Sequence, residues 1–129
     1  MLRYLIRLQK TLSSRGDVEI EDLTIILVSE SEGRIRGRVT FYDGSFLEFG
    51  EAVEVKGGAR RRMDVRKIWY KYHYQRGENS IFRYDNSPHH TDLPTFPHHK
   101  HIGDRIEPAA PPDLSDVPRE IDAILYPSS

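Results

Sequence analysis

Three runs of two-residue periodicity set the terms for any fold of this chain. Ile35, Gly37, Val39 and Phe41 alternate with Arg34, Arg36, Arg38 and Thr40. After Asp43-Gly44 the alternation resumes in Leu47, Phe49, Val53 and Val55, opposed to Glu48 and Glu54, with Glu51 standing in the apolar register. Ile68, Tyr70, Tyr72 and Tyr74 then alternate with Trp69, Lys71, His73 and Gln75. Successive side chains of a strand point to opposite faces, so each run reads as a strand with one apolar and one polar side. Leu23 to Val28, rich in β-branched residues, adds a strand before them. Ser80 to Tyr84 returns after Gly77-Glu78, and Ile106 marks a short edge strand.

The turns fix the register. At Asp43-Gly44, a two-residue type I′ loop sets Val39 opposite Glu48 and buries a carboxylate. A three-residue loop with Gly44 in the left-handed conformation pairs Val39 with Leu47 and Gly37 with Phe49, which keeps one face apolar on both strands. The second arrangement is predicted. At Gly77-Glu78, a two-residue loop predicts His73 opposite Phe82 and Lys71 opposite Tyr84.

The ends read as helices. Residues 2–13 place Leu2, Leu5, Ile6 and Leu12 on one face, with Gly16 as a stop. Pro108 to Pro112 forms a stiff linker. A last helix follows, capped by Ser115, with Leu114, Val117, Ile121, Ile124 and Leu125 as its stripe and Pro118 in its first turn. The expected fold is α+β: one domain over 1–129, an antiparallel meander of five or six strands with N- and C-terminal helices.

Composition narrows the class. An apolar fraction of 37% beside 30% charged residues suits a thin, one-sided core. The net charge of −1 argues against bulk attraction to nucleic acid, though not against local patches. No stretch nears the roughly 20 apolar residues of a membrane span. The start, MLRYLIRLQK, lacks a signal-peptide core, and the absence of cysteine excludes disulfides and thiolate zinc sites. A cytoplasmic location is expected. Few Asn, Gln and Met beside many Arg and Glu point toward a thermophile.

The chemistry concentrates in Tyr84 to His101, YDNSPHHTDLPTFPHHKH, where Pro88-His89-His90 is echoed by Pro97-His98-His99. Prolines disfavour helix here and predict an extended, defined loop, with Asp85 to Pro88 as an Asx-type turn. In an extended chain His99 and His101 share one face, about 6–7 Å apart, and His98 and Lys100 share the other.

Cleavage of an RNA phosphodiester needs a base for the 2′-hydroxyl, an acid for the leaving 5′-oxygen and positive charge on the phosphate. His99 and His101 with Lys100 have those parts, with His73 as accessory. Lys71, Arg83, Tyr72 and Asn86 are candidates for substrate binding, and Arg60 to Arg62 for phosphates. Tyr70, Tyr72, Tyr74 and Phe82 offer rings for stacking, although alternating tyrosines on a strand are more often core. No metal or other cofactor is required by this reading. Three others stay open. His89 or His90 can fold back towards His99 or His101 around a metal, with Asp85 or Asp92 completing it. The histidines can be hydrogen-bonding struts of an irregular segment. The tyrosine strand and loop can form a non-catalytic binding module for nucleic acid, nucleotide or protein.

Tyr70 to Tyr74 (YKYHY), Ile81 to Asn86 (IFRYDN), Pro88-His-His90 and Phe96 to His101 (FPHHKH), in that order, resemble the TumE family of toxins from type II toxin–antitoxin pairs. Arg34 to Arg38 and Asp43 to Ser45 fit the resemblance too, which runs from about Leu5 to the final helix. It implies a small cytoplasmic growth inhibitor, neutralised by a cognate antitoxin carrying a helix-turn-helix; RNA as the expected target follows from the histidine and lysine chemistry above. It leaves room for a homodimer.

Overall fold

The computed structural model describes residues 2–56, 64–88 and 93–127. The expectations placed on Arg60, Arg61, Arg62, His89, His90 and Asp92 lie outside these residues. Helix α1 (Leu2–Ser13) precedes strands β1 (Val18–Leu27), β2 (Glu32–Phe41), β3 (Phe46–Lys56), β4 (Asp64–Arg76), β5 (Asn79–Asp85), β6 (His99–Ile102) and β7 (Arg105–Pro108), and helix α2 (Asp116–Leu125) ends the chain. Among the described residues the strands form one seven-stranded sheet in sequence order, every neighbouring pair antiparallel. The α+β meander is therefore as predicted, with one strand more. The addition is β6, inside the histidine segment expected to be a loop.

The core lies on one side of the sheet. Ile35, Val39, Phe41, Leu47, Phe49, Val53, Tyr70, Tyr72, Tyr74 and Phe82 are buried there. Tyr4, Leu5, Leu8 and Leu12 from α1 pack on them, as do Val117, Ile121 and Leu125 from α2 with Leu114 just before it. On α1 the buried face is rotated from the expected one: Ile6 is exposed, and Tyr4 and Leu8 replace it. Burying a leucine of this kind stabilises by about 1.5–3 kcal/mol. Arg15 bonds both Asp17 and Asp122, tying the end of α1 to α2.

The first hairpin has the register predicted for it. Val39 opposes Leu47 and Gly37 opposes Phe49, with Gly44 at φ 85°. The cap of α2 differs. Ser115 is in helical conformation and makes no side-chain cap. Asp113 takes that role: its carbonyl accepts from Asp116 N at 2.9 Å, while its own N–H donates to the Asp116 carboxylate at 3.0 Å. That reciprocal pair satisfies two donors at the helix start, while the Ser115 hydroxyl donates to the Asp113 carboxylate instead of capping.

Candidate functional site

Two single-residue bulges decide what the outer face of the sheet carries. In β3–β4, Ala52 pairs with Trp69 and Val53 with Lys67, so Ile68 is extra. Beyond that point the parity of β4 is inverted, which leaves Ile68 exposed and turns Lys67 inward. In β4–β5, Gln75 pairs with Ser80 and Tyr74 with Phe82, so Ile81 is extra. The turn at Gly77-Glu78 does have two residues, yet His73 opposes Arg83, not Phe82, and Lys71 opposes Asp85, not Tyr84. The cause is burial: without the bulge, Phe82 and Tyr84 would face outward and Arg83 would meet Tyr72 in the core.

The corrected register builds two adjacent rows across the outer face. Glu48, His73, Arg83 and His101 stand side by side on β3 to β6. The neighbouring row is Gly50, Lys71, Asp85 and His99. Strands lie about 4.8 Å apart, so His73 and His101 flank Arg83 with their backbones about 10 Å from each other. Trp69, Lys71, Arg83, Asp85, Ser87, His99 and His101 enclose a recess of about 230 Å³.

Asp85 organises the recess and is itself buried. Its Oδ1 accepts from Ser87 N at 3.0 Å, which is the expected Asx turn, and faces His99 Nε2 at 2.8 Å. Its Oδ2 accepts from Arg83 Nε at 2.9 Å and lies 3.6 Å from His101 Nε2. His99 Nδ1 meets Pro97 O at 2.9 Å, so both nitrogens of this buried ring face an oxygen. The Arg83 guanidinium donates to His101 Nε2 at 3.0 Å, which requires a lone pair on that nitrogen. His99 and His101 do share a face, their rings 4.8 Å apart and near perpendicular. His73 Nε2 meets Ser80 Oγ at 2.8 Å. Burial, then the charges of Lys71 and Arg83, hold its pKa below the ordinary histidine value, so it is neutral at pH 7.

The other candidates sit elsewhere. Lys100 points to the helix side, where it donates to Glu120 at 2.7 Å and lies over the rings of Phe82 and Tyr84. Burial opposes its charge, but bonds to Glu120 and Tyr84 more than offset that and raise its pKa. It shares neither face nor partners with His99 and His101, as strand alternation requires. Tyr72 is fully buried and donates to Glu51, so no substrate reaches it. Tyr70, Tyr74 and Phe82 are core as well. Asn86 serves the backbone: its side chain accepts from Tyr70 N at 3.1 Å and donates to Ile68 O at 3.1 Å, extending the ladder where β5 ends. His98 stacks on Tyr70 and meets its hydroxyl at 3.0 Å.

The sequence reading assigned no role to Trp69, to the Asp85–Arg83 pair or to the buried Glu51 network. Glu51 alone carried a signal, as a carboxylate in an apolar register. It accepts from Tyr4 and Tyr72, with Lys67 Nζ 3.7 Å away. For a metal, one group of ligands stands out among the described residues: Asp85, His99 and His101, whose ligand atoms lie within 4.8 Å of one another. The Arg83 guanidinium, bonded to both Asp85 and His101, holds that position, and a metal would have to expel it.

No curated protein and no solved structure matches the chain. The family model described as Toxin TumE matches residues 6–125, from α1 through every strand to the end of α2. The match spans all of the core but Tyr4 and Leu5, the bulges at Ile68 and Ile81 and all residues of the recess, and the chain belongs to the Toxin TumE family.

Proposed function

We propose that this toxin, whose family implies an antitoxin partner, acts on RNA as a metal-independent endoribonuclease through the outer-face recess. The antitoxin in this reading carries a helix-turn-helix. The observation that carries it is the row His73–Arg83–His101: a cation flanked by two imidazoles on neighbouring strands of one open face. RNA supplies its own nucleophile, so a base, an acid and a phosphate clamp are sufficient.

Arg83 and Lys71 take the scissile phosphate. His73, kept neutral by its surroundings, accepts the 2′-hydroxyl proton as that oxygen attacks phosphorus. When the phosphate draws the guanidinium outward, His101 Nε2 takes a proton from solvent, held there by Asp85 Oδ2 3.6 Å away. His101 passes that proton to the departing 5′-oxygen. The products are a 2′,3′-cyclic phosphate and a 5′-hydroxyl. His99, sealed between Asp85 and Pro97 O, is a positioning residue that aims Asp85.

The test is inducible expression of wild type, His101→Ala, His73→Ala and Arg83→Ala, scoring growth and the integrity of total RNA. Losing one member of an acid–base pair lowers rate by about 10²–10⁴-fold, so both histidine variants should grow with intact RNA. Growth arrest by wild type with RNA intact would refute the activity. Arrest by His101→Ala with RNA cut as in wild type would remove His101 from it.

A further inference from the structure

Among the described residues no helix covers the outer face of the sheet, and beside the recess it carries a second feature. A trough of about 820 Å³ runs along it between Ile26 on β1, Arg34 and Arg36 on β2, Gly50 on β3 and Trp69 on β4. Trp69 and Lys71 line both the trough and the histidine recess, so the two are continuous. Trp69 sets the outer edge of its six-membered ring against Gly50: a Cβ on that glycine would stand 2.7 Å from indole Cζ3 and 2.9 Å from Cη2. A side chain at 50 would therefore push the indole off the sheet. With glycine there, the edge of the ring reaches the backbone and the residue stays 44% exposed.

We infer that Trp69 is a base-stacking platform for single-stranded RNA, holding a base next to the phosphate in the recess. Three features of the surface favour this occupant. The indole is held at its edge against Gly50 and is 44% exposed, which leaves ring surface for a base to stack on. Exposed Arg34 and Arg36 lie on one side and Lys71 and Arg83 on the other, spacing cations along a path that a sugar–phosphate chain can follow. Both acids that line the trough are already partnered, Glu48 by Arg38 and the buried Glu51 by Tyr4, Tyr72 and Lys67. A duplex would hide its base faces, so the platform selects unpaired strands. The inference rests on RNA being the target of the proposed activity, and it adds which form of RNA is held and by what.

Trp69 is the chain's single tryptophan, so its emission reports on the platform alone. The full chain is titrated with a single-stranded 2′-O-methyl octanucleotide, whose 2′-oxygens have no proton to lose, and with the same sequence as a duplex. The single strand should quench the emission saturably, and the duplex should not. Trp69→Ala, followed by anisotropy of a labelled octanucleotide, should weaken binding about 5- to 100-fold. Trp69→Phe should recover most of it, and both variants should keep the wild-type circular dichroism, since the residue is outside the core. Unchanged emission, or equal affinity for the alanine variant, overturns the proposal and leaves this face to a protein partner such as the antitoxin. The two readings fail separately: quenching without turnover of unmodified RNA sinks cleavage alone, and turnover with unchanged emission sinks the platform alone.

Discussion

Glu51 should be the costliest single carboxylate to remove, although it lies on the far side of the sheet from the proposed site. It is 1% exposed and joins three parts of the molecule. Tyr4 of α1 donates to one oxygen and Tyr72 of β4 to the other. Lys67 Nζ sits 3.7 Å from Glu51 and donates to Tyr72 Oη and to Pro112 O, each at 2.6 Å, which brings in the linker to α2. Glu51→Ala strands two buried phenols, at about 1–3 kcal/mol each, and an ammonium without its carboxylate, at about 3–5 kcal/mol. The same two oxygens serve all three donors, so these costs overlap. The expected loss is about 3–5 kcal/mol from a total of about 5–15. Glu51→Gln keeps the shape but turns an amide NH₂ towards a hydroxyl that already receives the Lys67 proton. Its expected cost is about 1–3 kcal/mol. Urea unfolding followed by Trp69 emission reads both. With a slope of about 1–3 kcal/mol per molar urea, the alanine midpoint should drop by at least about 1 M and the glutamine midpoint by less. An alanine variant within about 1 kcal/mol of wild type, or a glutamine variant worse than alanine, would refute the reasoning.

The same network predicts an alkaline limit. Burial, followed by the charge of Glu51, raises the phenol pKa values of Tyr4 and Tyr72 well above the ordinary 10, so above about pH 10 the folded state keeps protons that the unfolded state has released. Stability should then fall by up to about 1.4 kcal/mol per pH unit for each phenol. Lys67, whose pKa burial depresses, works the opposite way only below its unfolded value of about 10.5. A urea midpoint unchanged between pH 9.5 and 11.5 would contradict this. Lys100→Ala should destabilise by about 1–3 kcal/mol through loss of Glu120 and yet still arrest growth, because the ammonium lies on the helix side. Loss of arrest by a folded Lys100→Ala protein would return it to the site. Gly50→Ala should move the indole rather than the backbone, shifting Trp69 emission at a stability cost below about 1 kcal/mol. Unaltered emission would show that the ring does not lie where the glycine permits.

The first hairpin was legible because its two registers differ in what they bury. One places Glu48 opposite Val39, and the observed one does not. The partition of Pro97-His98-His99-Lys100-His101 was legible for the same reason, since alternation alone separates His99 and His101 from His98 and Lys100. Grouping Lys100 with its neighbours ignored that alternation. The buried face of α1 was misplaced by one residue because Tyr4 reads as polar at one end. Its hydroxyl finds Glu51, which makes the whole ring available to the core. The cap of α2 went to Asp113 because Pro112 and Asp113 sit against Lys67, a contact that no local pattern announces.

The second hairpin shows where such reading stops. Its loop length alone predicts a register in which Arg83 faces the core. Applying the burial test used at the first hairpin would have demanded a bulge, since Phe82 and Tyr84 must follow Tyr74 and Tyr72 inward. The bulge at Ile81 does more than save the core. It brings Arg83 beside His73 and Asp85 beside Lys71, and hands both on to His101 and His99 of β6. The bulge at Ile68 does the converse on the same strand, sending Lys67 inward to Glu51 while Trp69 stays outward beside Lys71. Neither shift leaves a glycine or a proline at the bulged position as a marker. Each inserts an isoleucine, a residue that the two-residue pattern reads as ordinary strand. Packing of the neighbouring strands chooses the bulge, and the bulge in turn chooses which charges meet. A deletion of Ile81 should thus leave an unbulged ladder, with Phe82 still opposite Tyr74 and Arg83 still opposite His73, and keep recess and core. A residue inserted between Ile81 and Phe82 should instead turn Phe82 outward and Arg83 inward and lose both. A deletion variant that fails to fold by circular dichroism would refute this account of the bulge.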